Sequence, residues 1–491
     1  MAPAAPKRRA PWAGALVALA LGAAPSCARP PAPAKAPAAE AAWQVRVEAG
    51  PGGRELAVEA DLPRGVPEEL GVGEGAEPFV RGVEIEQGGA WAPVAPRGDA
   101  WLAPACAARG CRVRYRFSLA EAAAALDNFD QAEAYGGEAF LAPPSTWLLR
   151  PLAASGPARV RLRVVTPPGV EFITGLRREG EGGPFVFGVD DLADAPYSGF
   201  GRFRVRPIEI EGGGRLDLAF TPGAFGLDDE RLAAYVASSA AAVAAFYGRF
   251  PVERALVVLT QVRGRGVPFG KTSGNGGAAI VMLLGESLRE ADLRRDWVMV
   301  HEMVHLGFPW LPGRHRWLEE GLATYVEPLV RLRAGLVAEE DIWREFVERM
   351  PQGLPRPGDR GLDRTPTWGR TYWGGAIFCL LADVEIRKRT GGARSLEDAL
   401  RGVVRAGGNA SARWGIGEAL AAGDAAVGVP VLRELYDAMA ERPAPVDLPR
   451  LWRELGVRSE GGRVRFDDRA PLAAVREGIT GGGRGRGPKA L

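Results

Sequence analysis

The residues best suited to chemistry lie close together. The chain of 491 residues has three histidines, at 301, 305 and 315. Two of them open and close the stretch His301-Glu302-Met303-Val304-His305. On an α-helix, positions i and i+4 share a face, so both imidazoles can reach one metal ion. Glu302, beside the first histidine, can then approach that ion from the flank. This HExxH arrangement is the zinc-binding pair with a carboxylate general base. Catalytic zinc usually takes three protein ligands and leaves a fourth position for water. A further histidine shortly after the helix is ruled out by the break at Leu306-Gly307-Phe308-Pro309, and His315 matches no zinc spacing. The better source is Trp317-Leu318-Glu319-Glu320-Gly321, on a helix expected from Arg316 to Leu329. Glu319 and Glu320 are adjacent, so only one can face the metal, and the helix wheel does not separate them.

The elements that must hold these groups can be read from periodicity. From Trp43 to about Phe220 the pattern is that of strands. Leu56-Ala57-Val58-Glu59-Ala60, Val113-Arg114-Tyr115-Arg116-Phe117 and Val160-Arg161-Leu162-Arg163-Val164 alternate apolar and polar residues, as half-buried antiparallel strands do. Arg204, Arg206 and Asp217 continue the alternation further on. The expectation is a β-sandwich-like domain over 43–222 with its arginine rows in water. After Thr221-Pro222-Gly223 the pattern turns helical, starting at Leu227-Asp228-Asp229-Glu230, where acidic residues favour the positive end of the helix dipole. A buried strand at 255–259, a glycine-rich loop at 264–277 and a second apolar strand at 278–284 follow. The loop has neither phosphate-loop nor dinucleotide-binding spacing. A helix over 292–306 carries the two histidines, and another runs from about 370 to 390. Ser395-Leu396-Glu397-Asp398 then forms a capping box for the next helix.

HEMVH followed by WLEEGLATY resembles the gluzincin metallopeptidases. The run from Tyr372 to Arg401, with Asp383, Arg387 and Thr390-Gly391-Gly392, is similar to the glycyl aminopeptidase family among them. Val464 to Leu472 resembles the end of that family's catalytic region. The resemblance is strongest over 295–405 and thinner over the β-rich region, and no PDZ domain of the kind frequent in the family is evident. It implies an α+β fold: an antiparallel β-sandwich-like domain, then a thermolysin-like, mainly helical catalytic domain over 223–478 with a small sheet. It implies Zn2+ as cofactor, held by His301, His305 and Glu320, with Glu319 in the variable position. It also implies Glu302 as general base and Tyr372 as hydrogen-bond donor to the oxyanion, although the family's lysine two residues later is Gly374 here. Family members pair substrate backbone with a strand just before HExxH, which would put Gly276 and Gly277 at the start of a substrate-binding strand. The family's amine-anchoring glutamate is missing from Gly274-Asn275-Gly276-Gly277. The expected activity is therefore a zinc metallopeptidase acting on peptides or proteins and aminopeptidase-like. The alternatives are an endopeptidase or a scaffold that binds without cleaving.

Composition places this chemistry outside the cytoplasm. Lys7-Arg8-Arg9, an apolar run from Trp12 to Ala24, and Cys27 resemble a lipoprotein signal over 1–27. Cys27 is the expected lipidation site and membrane anchor, and a Pro/Ala-rich tether over 28–42 follows. Cys106 and Cys111 are expected to form a local disulfide, and Cys379 to be a buried inert thiol. With 62 basic and 60 acidic residues, the net charge of +2 argues against a nucleic-acid partner. Five of the 62 basic residues are lysine, a bias fitting genome composition rather than function. The last residues, 479–491, read as a disordered tail.

Overall fold

Alternation of apolar and charged residues builds the N-terminal half. In the computed structural model, which describes residues 42–153 and 158–481, seven strands form one sheet. They are β1 (Ala42–Ala49), β2 (Leu56–Leu62), β3 (Val80–Gln87), β4 (Ala90–Pro93), β5 (Cys111–Phe117), β6 (Arg159–Val165) and β7 (Phe185–Gly188). Their spatial order is β7-β6-β1-β2-β5-β3-β4. All neighbours are antiparallel except β1 and β6, which run parallel. The inward residues of β2 and β5, such as Val58, Val113, Tyr115 and Phe117, are buried. They share one core with Trp101, Phe140, Trp147 and Phe200 from shorter strands and turns, giving the sandwich-like layering expected. The outward arginines meet acids across the strands: Arg114 bonds Glu84 at 2.6 Å, Arg116 bonds Glu55 at 2.5 Å, and Arg112 bonds Glu86 at 2.9 Å. This is a solvated face neutralised pair by pair. Cys106 and Cys111 are joined by a disulfide, and Cys379 is buried.

A second sheet lies under the helices. Its strands are β8 (Arg204–Glu209), β9 (Arg215–Phe220), β10 (Arg254–Val262), β11 (Phe269–Ser273) and β12 (Ala279–Gly285), in the order β8-β9-β10-β12-β11. β8 and β9 thus pair into the sheet that supports the helices, and the change of sheet falls nearer residue 203 than 222. Both faces of the central strands are covered. Val257, Leu259, Ile280 and Met282 face the helical core. Leu256, Val258, Ala279 and Val281 face a layer containing Leu141, Ile173 and Tyr197. Two-sided burial explains why these strands read as continuous apolar runs rather than alternating ones.

The helices follow. α1 (Asp229–Tyr247) is capped by Asp228, whose side chain accepts from the Arg231 N–H at 2.8 Å. The helix expected over 292–306 is broken. A short turn at Glu290–Arg295 stops, and α2 (Val298–His305) begins anew. Asp296 causes the break: its carboxylate accepts from the N–H groups of Val298 and Met299 at 3.1 and 3.0 Å, satisfying two donors at the new helix start. α3 (Arg316–Arg333) and α4 (Gly375–Arg389) complete the frame, and a π-helical turn at Arg370–Gly374 leads into α4. The capping box at Ser395 and Asp398 is formed. Among the described residues no helix is long and apolar enough to cross a membrane. Cys27, the expected signal, all but the last residue of the tether, and 482–491 of the expected tail lie outside the described residues, whereas Ile479 and Thr480, expected in that tail, are buried at the end of a helix over Ala473–Thr480.

Candidate metal centre

α2 puts His301 and His305 on one face, one turn apart, with ring centroids separated by 5.0 Å. α3 crosses beside it and brings in a carboxylate. Oε2 of Glu320 lies 3.5 Å from His301 Nε2 and 3.6 Å from His305 Nε2. The ligand atoms of the three residues all fall within 4.8 Å of one another. Zinc at about 2.0–2.2 Å from each ligand in tetrahedral geometry requires ligand atoms about 3.4 Å apart, and the two carboxylate–imidazole separations match. The donor set of two imidazoles and a carboxylate fits zinc chemistry as well. His301, Glu302 and Glu320 are buried at 6%, 7% and 9% exposure, so the site sits in a floor rather than on a surface.

The two glutamates of α3 diverge. Glu320 turns to the histidines, while Glu319 accepts the N–H of Leu311 at 2.7 Å and so fastens the loop between the helices. Burial pushes the Glu319 carboxyl up to about 7. On Glu320, burial opposes ionisation, but the two imidazoles beside it hold the carboxyl far below the usual range. The second oxygen of Glu320 accepts from Arg316 at 3.2–3.3 Å, one helical turn back. That guanidinium leaves Oε2 as the oxygen turned to the imidazoles. Thr324 donates its hydroxyl to the Glu320 backbone carbonyl at 2.7 Å, so it braces the helix rather than the carboxylate.

Gly321 has a geometric reason to be glycine. A Cβ there would overlap the Cα of Gly375, and a Cβ on Gly375 would overlap the carbonyl of Trp317. α3 and α4 therefore touch backbone to backbone just beside Glu320. This close approach draws Tyr372, in the π-helical turn, toward the centre. Burial raises the Tyr372 hydroxyl pKa, the charge of Glu320 raises it further, and Arg316 works in the opposite sense. The phenol keeps its proton and lies within the field of Glu320, Glu302 and Arg316. π-Turns of this kind are frequent at functional sites.

Glu302 is positioned from the sheet. Thr272 on β11 donates to Glu302 Oε2 at 2.8 Å, and its hydroxyl oxygen is also 2.8 Å from the Glu302 carbonyl. Gly270 on the same strand leaves room for the Glu302 side chain, since a Cβ would meet Glu302 Cγ at 2.7 Å. β11 is the sheet's outer strand, and it lies inside the segment read as a glycine-rich loop. Its Phe269-Gly270-Lys271-Thr272-Ser273 carries no apolar run, because an edge strand is held by backbone pairing on one side only.

This placement corrects the expectation for Gly276 and Gly277. β12 is flanked on both sides, so its backbone is not free to pair with a peptide. The Gly276 carbonyl accepts from Arg177 at 2.9 Å, its N–H donates to Ser411 at 3.2 Å, and Gly277 bridges to Leu176. A Cβ at either glycine would collide with Phe187 or Gly175. These glycines lock the β-rich region onto the sheet. The open edge beside Glu302 belongs to β11 instead. Facing the other side of β11, Lys271 pairs with Asp130 at 2.6 Å, and Tyr197 donates to the same carboxylate at 2.5 Å. Thr272, Arg316 and Asp130 carry no motif, and only the tertiary arrangement reveals them.

No protein-family model matches the chain, and a search of curated proteins finds no relative. Solved structures do resemble it in fold. A member of the aminopeptidase N family from Idiomarina loihiensis superimposes with a TM-score of 0.60 at 15% identity, over 84% of this chain and 78% of that one. An M1 zinc metallopeptidase from Deinococcus radiodurans gives 0.51 at 14% identity, over 83% of this chain and 94% of that one. The fold of the chain, a β-rich region followed by a largely helical one, is the architecture of these proteins.

Proposed function

We propose that this chain is a zinc-dependent peptidase. The observation that carries the reading is the convergence of His301, His305 and Glu320 at zinc-ligand spacing, with Glu302 beside them. The two similar structures bear names of the same class, which supports it. When bound, zinc would polarise a peptide carbonyl and lower the pKa of a water toward neutrality. Glu302, held by Thr272, takes the proton of the attacking water and passes it to the departing amine. Tyr372 donates to the oxygen that gains charge. Arg316 balances Glu320 and keeps it oriented toward the imidazoles. The intact ligand set speaks against a scaffold that only binds.

Glu302→Gln tests the assignment. The variant should lose turnover by about 10²- to 10⁴-fold with zinc content unchanged by elemental analysis. Retained activity would remove Glu302 from the mechanism. The action is aminopeptidase-like by likeness of fold. Internal cleavage is a second reading, favoured by the β11 edge, whose Phe269-Gly270-Lys271-Thr272-Ser273 offers no carboxylate for a substrate amine. Comparing free and acetylated peptides of one sequence separates the two. Export and anchoring through Cys27 complete the proposal: Cys27→Ser should move the protein from the membrane to the soluble fraction.

A further inference from the structure

Exposed aromatic side chains are scarce in this protein. Among the described residues, those exposed are Trp368 at 60%, Trp297 at 50% and Phe269 at 44%. They are far apart in sequence, yet the two tryptophans each touch a different residue of the candidate site. The Trp297 ring meets the His301 ring at 5.4 Å, close to edge-on. The Trp368 ring meets the Tyr372 ring at 5.7 Å. Phe269 precedes Gly270, which packs on Glu302, and its ring leans on Phe129 at 5.8 Å across the edge strand.

Nothing in the fold requires these rings to be outside. Tryptophan buries more apolar area than any other side chain, and leaving it half in water forgoes that stabilisation. Other aromatic residues around the same helices, including Trp317, Trp343, Trp373, Phe346 and Phe378, are covered by the helical core. Aromatic rings left exposed beside a polar centre are characteristic of binding surfaces. The position also selects the occupant. An extended peptide laid along the open edge of β11 sends alternate side chains to opposite sides. Trp297 at the start of α2 and Trp368 ahead of α4 stand on different helical elements, the one against His301 and the other against Tyr372. A bond cleaved between them would have one neighbour facing each indole.

Resting on the peptidase reading, we infer that the substrate is a peptide with large apolar side chains flanking the scissile bond, held by Trp297 on one side and Trp368 on the other. Small or charged residues at those positions leave the indoles uncovered. Lys271 and Asp130 neutralise each other and supply no net charge to attract an ionic side chain.

The test separates recognition from cleavage. Peptide affinity is measured by calorimetry on zinc-loaded Glu302→Gln protein, with N-acetylated hexapeptides carrying Leu-Phe, Gly-Gly, Glu-Glu or Lys-Lys at the centre. The Leu-Phe peptide should bind on the order of 10- to 100-fold more tightly than the Gly-Gly one. Trp297→Ala and Trp368→Ala, made in the same background, should each shrink that ratio about 10-fold, and Trp→Phe at either position should restore most of it. Both tryptophans are half exposed or more, so the folded state is checked simply by zinc content and circular dichroism. Equal affinities for the four peptides, or a ratio unmoved by both Trp→Ala variants, would overturn the inference. Wild-type turnover on the same peptides answers the other question. Selective binding without cleavage keeps the aromatic rim and removes the peptidase, whereas cleavage of all four at one rate does the reverse.

Discussion

Two buried clusters hold the three histidines, and they sit at opposite ends of one loop. In the first, His301, His305 and Glu320 converge, with the carboxylate oxygen 3.5–3.6 Å from both rings. In the second, His315 bonds Asp363 at 2.9 Å, Trp317 donates to the same oxygen at 2.6 Å, and Tyr436 donates to the other at 2.8 Å. Arg314 reaches the remaining ring nitrogen of His315 at 3.0 Å. Both clusters consist of imidazole and carboxylate in a dry setting. The second is closed: both oxygens of Asp363 have donors, so it can only brace the start of α3. The first has ligand atoms spaced for an ion rather than for each other. Closure therefore separates a structural histidine from a chemical one, and residue type alone does not.

The contrast can be broken from either side. The largest effect is expected from Glu320→Ala, which removes a charged ligand from the open cluster. Zinc should be lost on dialysis and turnover should fall below detection, while the thermal midpoint of the metal-free protein stays close to wild type. A fully active Glu320→Ala protein would end the metal assignment. Asp363→Ala should do the opposite. Breaking a buried, fully bonded carboxylate should cost about 3–5 kcal/mol in urea unfolding, whereas zinc affinity per folded molecule changes little. Asp363 also sets a pH signature. Burial works against its ionisation, but His315, Trp317 and Tyr436 hold its carboxyl below the ordinary value of 3.8. A depressed folded pKa gives stability that is complete above the unfolded pKa and is lost as pH falls through the folded one. The wild type should thus lose stability more steeply below pH about 4 than Asp363→Asn does.

Two smaller effects sharpen the picture within the open cluster. Tyr372→Phe removes one donor to the developing charge and should lower kcat by about 10²-fold, with KM and zinc content held. An unchanged kcat would return Tyr372 to packing. Thr272→Val removes the bond to Glu302 and should reduce kcat about 10-fold, with a shift in the acidic limb of the pH–rate profile that a purely structural threonine would not produce.

Much of this was legible in the residues. The i, i+4 histidines with Glu302 specify their own geometry as soon as a helix forms. The apolar runs at 255–259 and 278–284 specify buried strands, and Ser395 with Asp398 specifies a helix start. The resemblance to gluzincins assigned Glu320, while the helix wheel left it equal to Glu319. Two kinds of feature escaped. Asp296 ended one helix and started another, because a side chain bonding the N–H groups ahead of it competes with helix continuation. The strand Phe269–Ser273 carried no apolar signature, since an edge strand beside a cleft needs none, and the substrate-strand expectation therefore fell on Gly276 and Gly277.

The sequence by itself determined the chemistry available: two imidazoles on one helical face with a carboxylate at their flank, and the buried strands behind them. Those patterns are local, and a period of 3.6 or 2 residues is enough to express them. The tertiary structure alone decided which strand is left open and where Tyr372 and the exposed tryptophans lie, and it turned Glu320 rather than Glu319 to the imidazoles where the helix wheel left the two equal. Each depends on contacts between residues distant along the chain, such as the backbone touch of Gly321 and Gly375. Such a contact leaves no periodic trace, because it is fixed by the packing of whole helices and not by the spacing within one.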